Sequence, residues 1–246
     1  MNKLYTNNFP QINLYSDKKC KSKIVSQMIY GDSFSIIKRS INIYKIKIKE
    51  DGYTGFIKRR EFPYYIKPTH KVFNLSANFY SQPNIRNQIG KLTFGSKIKV
   101  TKKFREFSKF GKSWIKSKDL KNIKFKEKNL LSRIQMFKNI KYKWGGKTFK
   151  GIDCSGLVQI FFNFNNKFLP RDTKDQIKYF KNNVKLNKIK KYDIIFWKGH
   201  VAVVISKKKL IHAYGPLKKT VIMDILKTIN KIKKTAKLDV LNIKRP

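Results

Sequence analysis

The segment Gly151-Ile152-Asp153-Cys154-Ser155-Gly156-Leu157-Val158 places a cysteine between a capping aspartate and an apolar run. Aspartate is a favoured helix N-cap, so Cys154 falls in the first turn of a predicted helix. There the unpaired amides and the positive end of the helix dipole favour a thiolate, the form a cysteine nucleophile needs. A thiol hydrolase also needs an imidazole to take the thiol proton and pass it to the leaving amine. The chain has three histidines, His70, His200 and His212. His200 opens the apolar stretch His200-Val201-Ala202-Val203-Val204-Ile205, and His212 lies in Leu210-Ile211-His212-Ala213-Tyr214. A hairpin turning at Ser206–Lys209 pairs Ile205 with Leu210. It sets His200 roughly opposite Tyr214 with His212 nearby, an arrangement suited to a base and the group that orients it. The same residues also admit a structural reading, a core cysteine at a helix start and two satisfied core histidines.

These groups need a scaffold. The pattern Leu130, Leu131, Ile134, Phe137, Ile140 predicts a helix over 123–140, broken at Tyr142-Lys143-Trp144-Gly145-Gly146. A second helix is expected from Cys154 through Phe162 and a third over Thr173–Lys181. After Asp193 the pattern changes to strands, Ile194–Trp197, Val201–Ile205 and Leu210–Tyr214. Helices followed by a run of strands indicate an α+β domain. The first half instead alternates Ile, Phe and Tyr with polar residues, over Ser33–Lys38, Ile41–Lys49 and Gly55–Lys58, punctuated by Gly31-Asp32 and Asp51-Gly52. It also holds a weak repeat. Asn13-Leu14 and Asn74-Leu75 each precede a polar stretch, then Gly31-Asp32-Ser33-Phe34 and Gly95-Ser96-Lys97-Ile98, then Phe56-Ile57-Lys58 and Trp114-Ile115-Lys116. Two small barrels meeting near Pro68 fit this pattern; a single larger β domain is the other reading.

Composition bears on partners. With 58 basic and 14 acidic residues the formal charge is +44. Nucleic-acid binding is one reading. The other is drift toward A- and T-rich codons, and it is favoured: Lys outnumbers Arg 50 to 8, Ala occurs four times, and the lysines are spread along the whole chain. Base-edge readout uses arginine forks. Two cysteines, Cys20 and Cys154, are too few for a disulfide framework or a four-cysteine zinc site. Cys20, in DKKCKSK, is read as incidental. No apolar run reaches the roughly 18 residues of a membrane span. The opening MNKLYTNNFPQINLYS shows no apolar core or small-residue cleavage site, so a cytoplasmic location is expected.

The strings YKWGG (142–146), GIDCSGLVQ (151–159), LPRDTKDQ (169–176), YDIIFW (192–197), GHVAVVI (199–205) and IHAY (211–214) follow one another in the order of the NlpC family of papain-like cysteine peptidases, which the chain closely resembles. Asp51-Gly52-Tyr53-Thr54-Gly55-Phe56-Ile57 resembles the DGYxGW strand of bacterial SH3-like domains, with Phe56 for the usual Trp. The resemblance implies an α+β papain-like catalytic domain preceded by two small all-β SH3-like barrels, with barrels at 1–66 and 67–122 and the peptidase at 123–246. It implies Cys154 as nucleophile, His200 as general base and His212 as the residue orienting it. It further implies Tyr142 and Trp144 as aromatic residues lining the site, and Ser155, Asp172 and Tyr53 as substrate-binding positions. The Asp172 carboxylate would capture an N-terminal ammonium; as a plain structural residue it would cap the helix starting near Thr173. No metal or organic cofactor is implied.

The expected activity is hydrolysis of the γ-D-glutamyl–diamino acid bond in short murein stem peptides with a free N-terminal L-Ala. The expected protein is a monomer without a nucleic-acid partner. Alternatives are an amidase or acyltransferase on the same fold, or a non-catalytic protein binding cell wall or nucleic acid. Thiol reactivity separates these classes, because an activated Cys154 would be alkylated well below the ordinary thiol value of about 8.5.

Overall fold

A computed structural model describes residues 3–21 and 23–246. The described residues are mostly β with three α-helices, α1 (Cys154–Phe164), α2 (Thr173–Tyr179) and α3 (Ile225–Ala236). The first six strands make one antiparallel sheet, in the order Leu4–Thr6, Ser33–Arg39, Ile43–Ile48, Thr54–Lys58, Gln11–Tyr15, Ile24–Ile29. Its alternating inward residues, among them Leu14, Met28, Phe34, Ile46, Ile48 and Ile57, form a core of their own. Residues 70–122 add a three-stranded and a five-stranded sheet around Val72, Leu92, Ile98, Phe110 and Ile115.

These sheets are open, which corrects the expectation of closed barrels. In the first sheet one edge is paired with a following segment, and a side chain at the other edge is hydrogen-bonded. Tyr5 bridges Tyr64, Thr6 N–H donates to Pro63 O at 3.0 Å, and Tyr65 N–H donates to Leu4 O at 2.9 Å. At the other edge, Gln27 accepts from Lys147 N–H at 2.9 Å. The Leu4–Thr6 edge thus pairs with residues 63–65 and not with the strand at the far edge. The two glycines of the weak repeat sit alike, Gly31 at φ +85° and Gly95 at φ +81°. Both positions lie in the left-handed region that glycine enters without strain.

The C-terminal part wraps α1 with an antiparallel six-stranded sheet, ordered Asn182–Asn183, Asn242–Arg245, Ile194–Trp197, His200–Val204, Lys209–Tyr214, Lys219–Asp224. Val201 and Val203 face α1, and Ala202 and Val204 face the opposite core with Ile225 and Ile232 of α3. Both faces are therefore covered, and the strands read as continuous apolar runs. The N-terminal sheets are fused to this core. Ile29 and Phe94 belong to it, with Phe94 stacked on Phe164 at 4.4 Å between ring centroids. Buried Lys71 donates to the carbonyl oxygens of Phe164 and Phe125, so it caps the end of α1.

Three expectations change. Residues 123–140 are turns and a short 3₁₀ helix, Ile134–Phe137, and not an α-helix. Leu131, Ile134, Phe137 and Ile140 recur every three residues, the 3₁₀ period, and pack on the core as such. Helix α3 and the strands Lys219–Asp224 and Asn242–Arg245 were not anticipated. The helix signals were present: the Asp224 carboxylate caps Lys227 N–H at 3.1 Å, and Ile225, Thr228 and Ile232 form a buried stripe. Helix α2 ends at Tyr179, two residues short of the expected Lys181.

Candidate active site

Asp153 precedes α1 in an extended conformation, and its Oδ1 accepts Gly156 N–H at 2.7 Å. Its Oδ2 accepts Gly145 N–H at 2.8 Å. Gly145, at φ +73°, passes so close to Ile24 that a Cβ would stand 2.7 Å from the Ile24 carbonyl oxygen. The cap thus fixes α1 and the Trp144-Gly145 turn together. Cys154 is the first residue of α1, and its Sγ lies 4.0 Å from Gly199 O. The thiol is buried. Burial, then the Asp153 carboxylate, pushes it up to about 12, only partly offset by the Val201 amide, the Arg171 charge and the Ser155 amide. The thiolate expected from the helix dipole is therefore not the resting species: desolvation and a neighbouring carboxylate outweigh the dipole.

The hairpin has Val203 opposite Ile211 and Val204 opposite Leu210, one residue out of the expected register. His200 Nε2 and His212 Nδ1 are 2.9 Å apart. Burial pushes His200 down to about 4, and burial followed by the His200 charge pushes His212 down to about 3. Both rings are neutral at pH 7. Their tautomers follow from the next contact, His212 Nε2 to Met223 Sδ at 3.4 Å. A thioether can only accept, so Nε2 carries the His212 proton and Nδ1 accepts from His200 Nε2–H. His200 then keeps an unprotonated Nδ1, the form of a general base.

A cavity of about 420 Å³ opens over Cys154. Six of the eight candidate residues line it: Tyr53, Tyr142, Trp144, Cys154, Ser155 and Asp172. His200 and His212 are not among the residues lining it, although His200 directly follows the lining residue Gly199; His212 is fully buried. Tyr142 is held by the Lys218 carbonyl at 2.8 Å and a bridge to Ile152. Burial, then Cys154, raises its phenol. Trp144 is 53% exposed, with Lys23 Nζ 4.8 Å from its ring centroid. Tyr53 reaches the cavity from the first sheet. Its phenol is raised by burial first and by Asp172 second. Asp172 occupies the N-cap position of α2, yet its side chain makes no capping hydrogen bond. The carboxylate lines the cavity instead, raised by burial and lowered by Arg171.

Sequence reasoning assigned no role to Arg171. It is 2% exposed and grips Asp153 with both terminal nitrogens, at 3.0 and 2.6 Å. It also donates to Ser155 Oγ at 2.7 Å and Ser26 Oγ at 3.3 Å. The available signal was composition: Arg171 is the only arginine between Arg133 and Arg245, amid many lysines. A buried fork to a carboxylate requires arginine.

The NlpC/P60 family model matches residues 139–236, which contain Cys154, His200 and His212. Residues 139–236 are an NlpC/P60 domain. The chain thus carries a cysteine-peptidase domain of the NlpC/P60 family. It is 23% identical over 228 residues to dipeptidyl-peptidase 6 of Lysinibacillus sphaericus, covering 82% of this chain and 84% of that protein. It is 27% identical over 197 residues to gamma-D-glutamyl-L-lysine dipeptidyl-peptidase of Bacillus subtilis, covering 72% of this chain and 66% of that protein. The crystal structure of an NlpC/P60 family protein from Bacillus cereus superposes with a TM-score of 0.82 at 16% identity, over 98% of this chain and 99% of that one. The NlpC/P60 fold neighbour therefore spans the N-terminal sheets as well as the peptidase domain. No helix among the described residues is long and apolar enough to cross a membrane.

Proposed function

We propose that this chain hydrolyses the γ-D-glutamyl–diamino acid bond of short murein stem peptides bearing a free N-terminal L-Ala. The observation that carries the reading is the cavity over Cys154, in which the uncapped Asp172 carboxylate faces Tyr53 of the first sheet. A carboxylate that makes no capping hydrogen bond and lines a partly buried cleft suits an ammonium. A wall supplied by the N-terminal sheet limits the length of peptide that fits beyond it. The names of the L. sphaericus and B. subtilis relatives agree with a peptidase that releases dipeptides.

In this reading His200 Nδ1 takes the Cys154 proton as Sγ attacks the γ-carbonyl, and a tetrahedral oxyanion forms. The Cys154 amide at the start of α1 and the Tyr142 hydroxyl stabilise the oxyanion. The imidazolium, held by His212, returns its proton to the departing amine and leaves a thioester. Water, deprotonated by His200, then releases the dipeptide acid. Because thiol and imidazole are both neutral at rest, proton transfer accompanies attack and does not precede it. We also propose that 1–66 and 67–122 act as SH3-like units in an open form, with 123–246 as the peptidase. Each unit's separate core supports this division.

The test is release of the diamino acid from L-Ala-γ-D-Glu-diaminopimelate, with an N-acetylated copy and Cys154→Ala alongside. Cleavage of the free-amine peptide alone, by the parent alone, is expected. A folded parent protein that cuts neither peptide sinks the substrate reading and directs the search to acyl esters.

A further inference from the structure

Between the first sheet and α1 lies a buried polar node that the chemistry above does not use. The Asp51 carboxylate is fully buried. Its Oδ1 accepts Tyr53 N–H at 2.9 Å, so it holds the turn that presents Tyr53 to the cavity. Its Oδ2 accepts Gln159 Nε2 at 3.2 Å. The same Gln159 nitrogen donates to Leu169 O at 3.0 Å, at the head of the Leu169-Pro170-Arg171-Asp172 segment. Gln159 lies on α1, the helix that begins at Cys154. One amide group thus joins the Tyr53 wall, the Asp172 wall and the nucleophile's helix. Lys147 Nζ is 3.7 Å from Asp51 Oδ2, is 1% exposed, and has no hydrogen-bond partner among the described residues. It balances the charge without tying the geometry.

We propose that Asp51 is a positioning residue for substrate recognition, setting through Gln159 the gap between Tyr53 and Asp172. Its hold on Tyr53 governs affinity for the amine end of the peptide. The inference rests on the function proposed above. A buried carboxylate with two directed hydrogen bonds fixes a turn far more narrowly than apolar packing, because each bond has a distance and a direction. A turn displaced by a fraction of an ångström moves Tyr53 relative to Asp172 and leaves Cys154 and His200 in place.

Two double variants separate positioning from folding. Asp51→Asn/Lys147→Met and Asp51→Ala/Lys147→Met both remove the buried charge pair and the acceptor for Gln159 Nε2, but only the asparagine keeps an acceptor for Tyr53 N–H, so the comparison isolates the hold on Tyr53. The expected result with the free-amine tripeptide is a KM about tenfold higher in the alanine variant than in the asparagine one. Their kcat values should agree within about threefold, the signature of lost ground-state and transition-state binding alike. Tyr53→Phe and Tyr53→Ala give the scale for losing Tyr53 itself. Equal KM values in the two double variants overturn the proposal, as does a KM that rises in both in step with lowered Tm. Should the parent not cut the peptide, the substrate reading fails and hydrogen exchange at the Tyr53 amide decides the node by itself. Protection lost in the alanine variant and kept in the asparagine variant supports it, and equal protection overturns it.

Discussion

Replacing Arg171 by methionine removes the cation from a pair in which both side chains are nearly inaccessible, at 1% and 8% exposure. The Asp153 carboxylate then keeps two amide donors, Gly145 and Gly156, and loses both guanidinium nitrogens. Breaking a buried pair from one side leaves an uncompensated charge and costs about 3–5 kcal/mol. For a chain of this size that is a drop in Tm of about 6–20 °C, at roughly 2–4 °C per kcal/mol. The assay is thermal unfolding followed by tryptophan fluorescence, with Arg171→Met, Asp153→Asn and the double variant in parallel. Asparagine is also a good N-cap, so Asp153→Asn keeps the cap of α1. If uncompensated charge is the cause, the double variant recovers most of the loss seen in Arg171→Met. Two results refute the reasoning: an Arg171→Met variant within about 1 kcal/mol of the parent, or a double variant whose loss equals the sum of the single ones.

Acid stability follows from two desolvated imidazoles, His212 buried and His200 half-buried. Their folded values, about 4 and about 3, lie below the roughly 6.5 of an unfolded histidine. Below pH 6.5 the unfolded chain binds protons that the folded chain refuses, so their contribution is complete above 6.5 and is lost as pH falls toward 4. For His200 alone the loss is on the order of 3 kcal/mol. Denaturant titrations from pH 7 to 4 should show it, with a shallower fall in His212→Gln; an equal slope in both contradicts the assignment. Alkylation of Cys154 by iodoacetamide in the free protein should climb with pH through 9 without levelling off, and a plateau from pH 6 to 7 would mean a resting thiolate. Met223→Leu removes the acceptor that sets the His212 tautomer. Loss of about tenfold in kcat at constant KM is expected for the tripeptide, and unchanged turnover would discard the proton assignment along the His200–His212 pair.

What the sequence by itself determined is local in origin. Asp153 capping a helix at Cys154, the strands at 194–197, 200–204 and 209–214, and the nearness of His200 and His212 all follow from capping chemistry, alternation and hairpin geometry, which act over a few residues. The candidate residues 53, 142, 144, 155 and 172 were reached through family resemblance, since no short-range rule joins Tyr53 to Asp172. Where one local rule competes with another it misleads: the spacing around Ile134 suggests an α-helix, though a repeat of three is the 3₁₀ period. Tertiary structure alone decided the rest. The protonation of Cys154, His200 and His212 depends on how completely distant segments exclude water from them. The engaged sheet edges, the Arg171 fork and the Asp51–Gln159 node join residues from 16 to 145 positions apart. Solvation and long-range hydrogen bonds are properties of the assembled chain, and no window of sequence contains them.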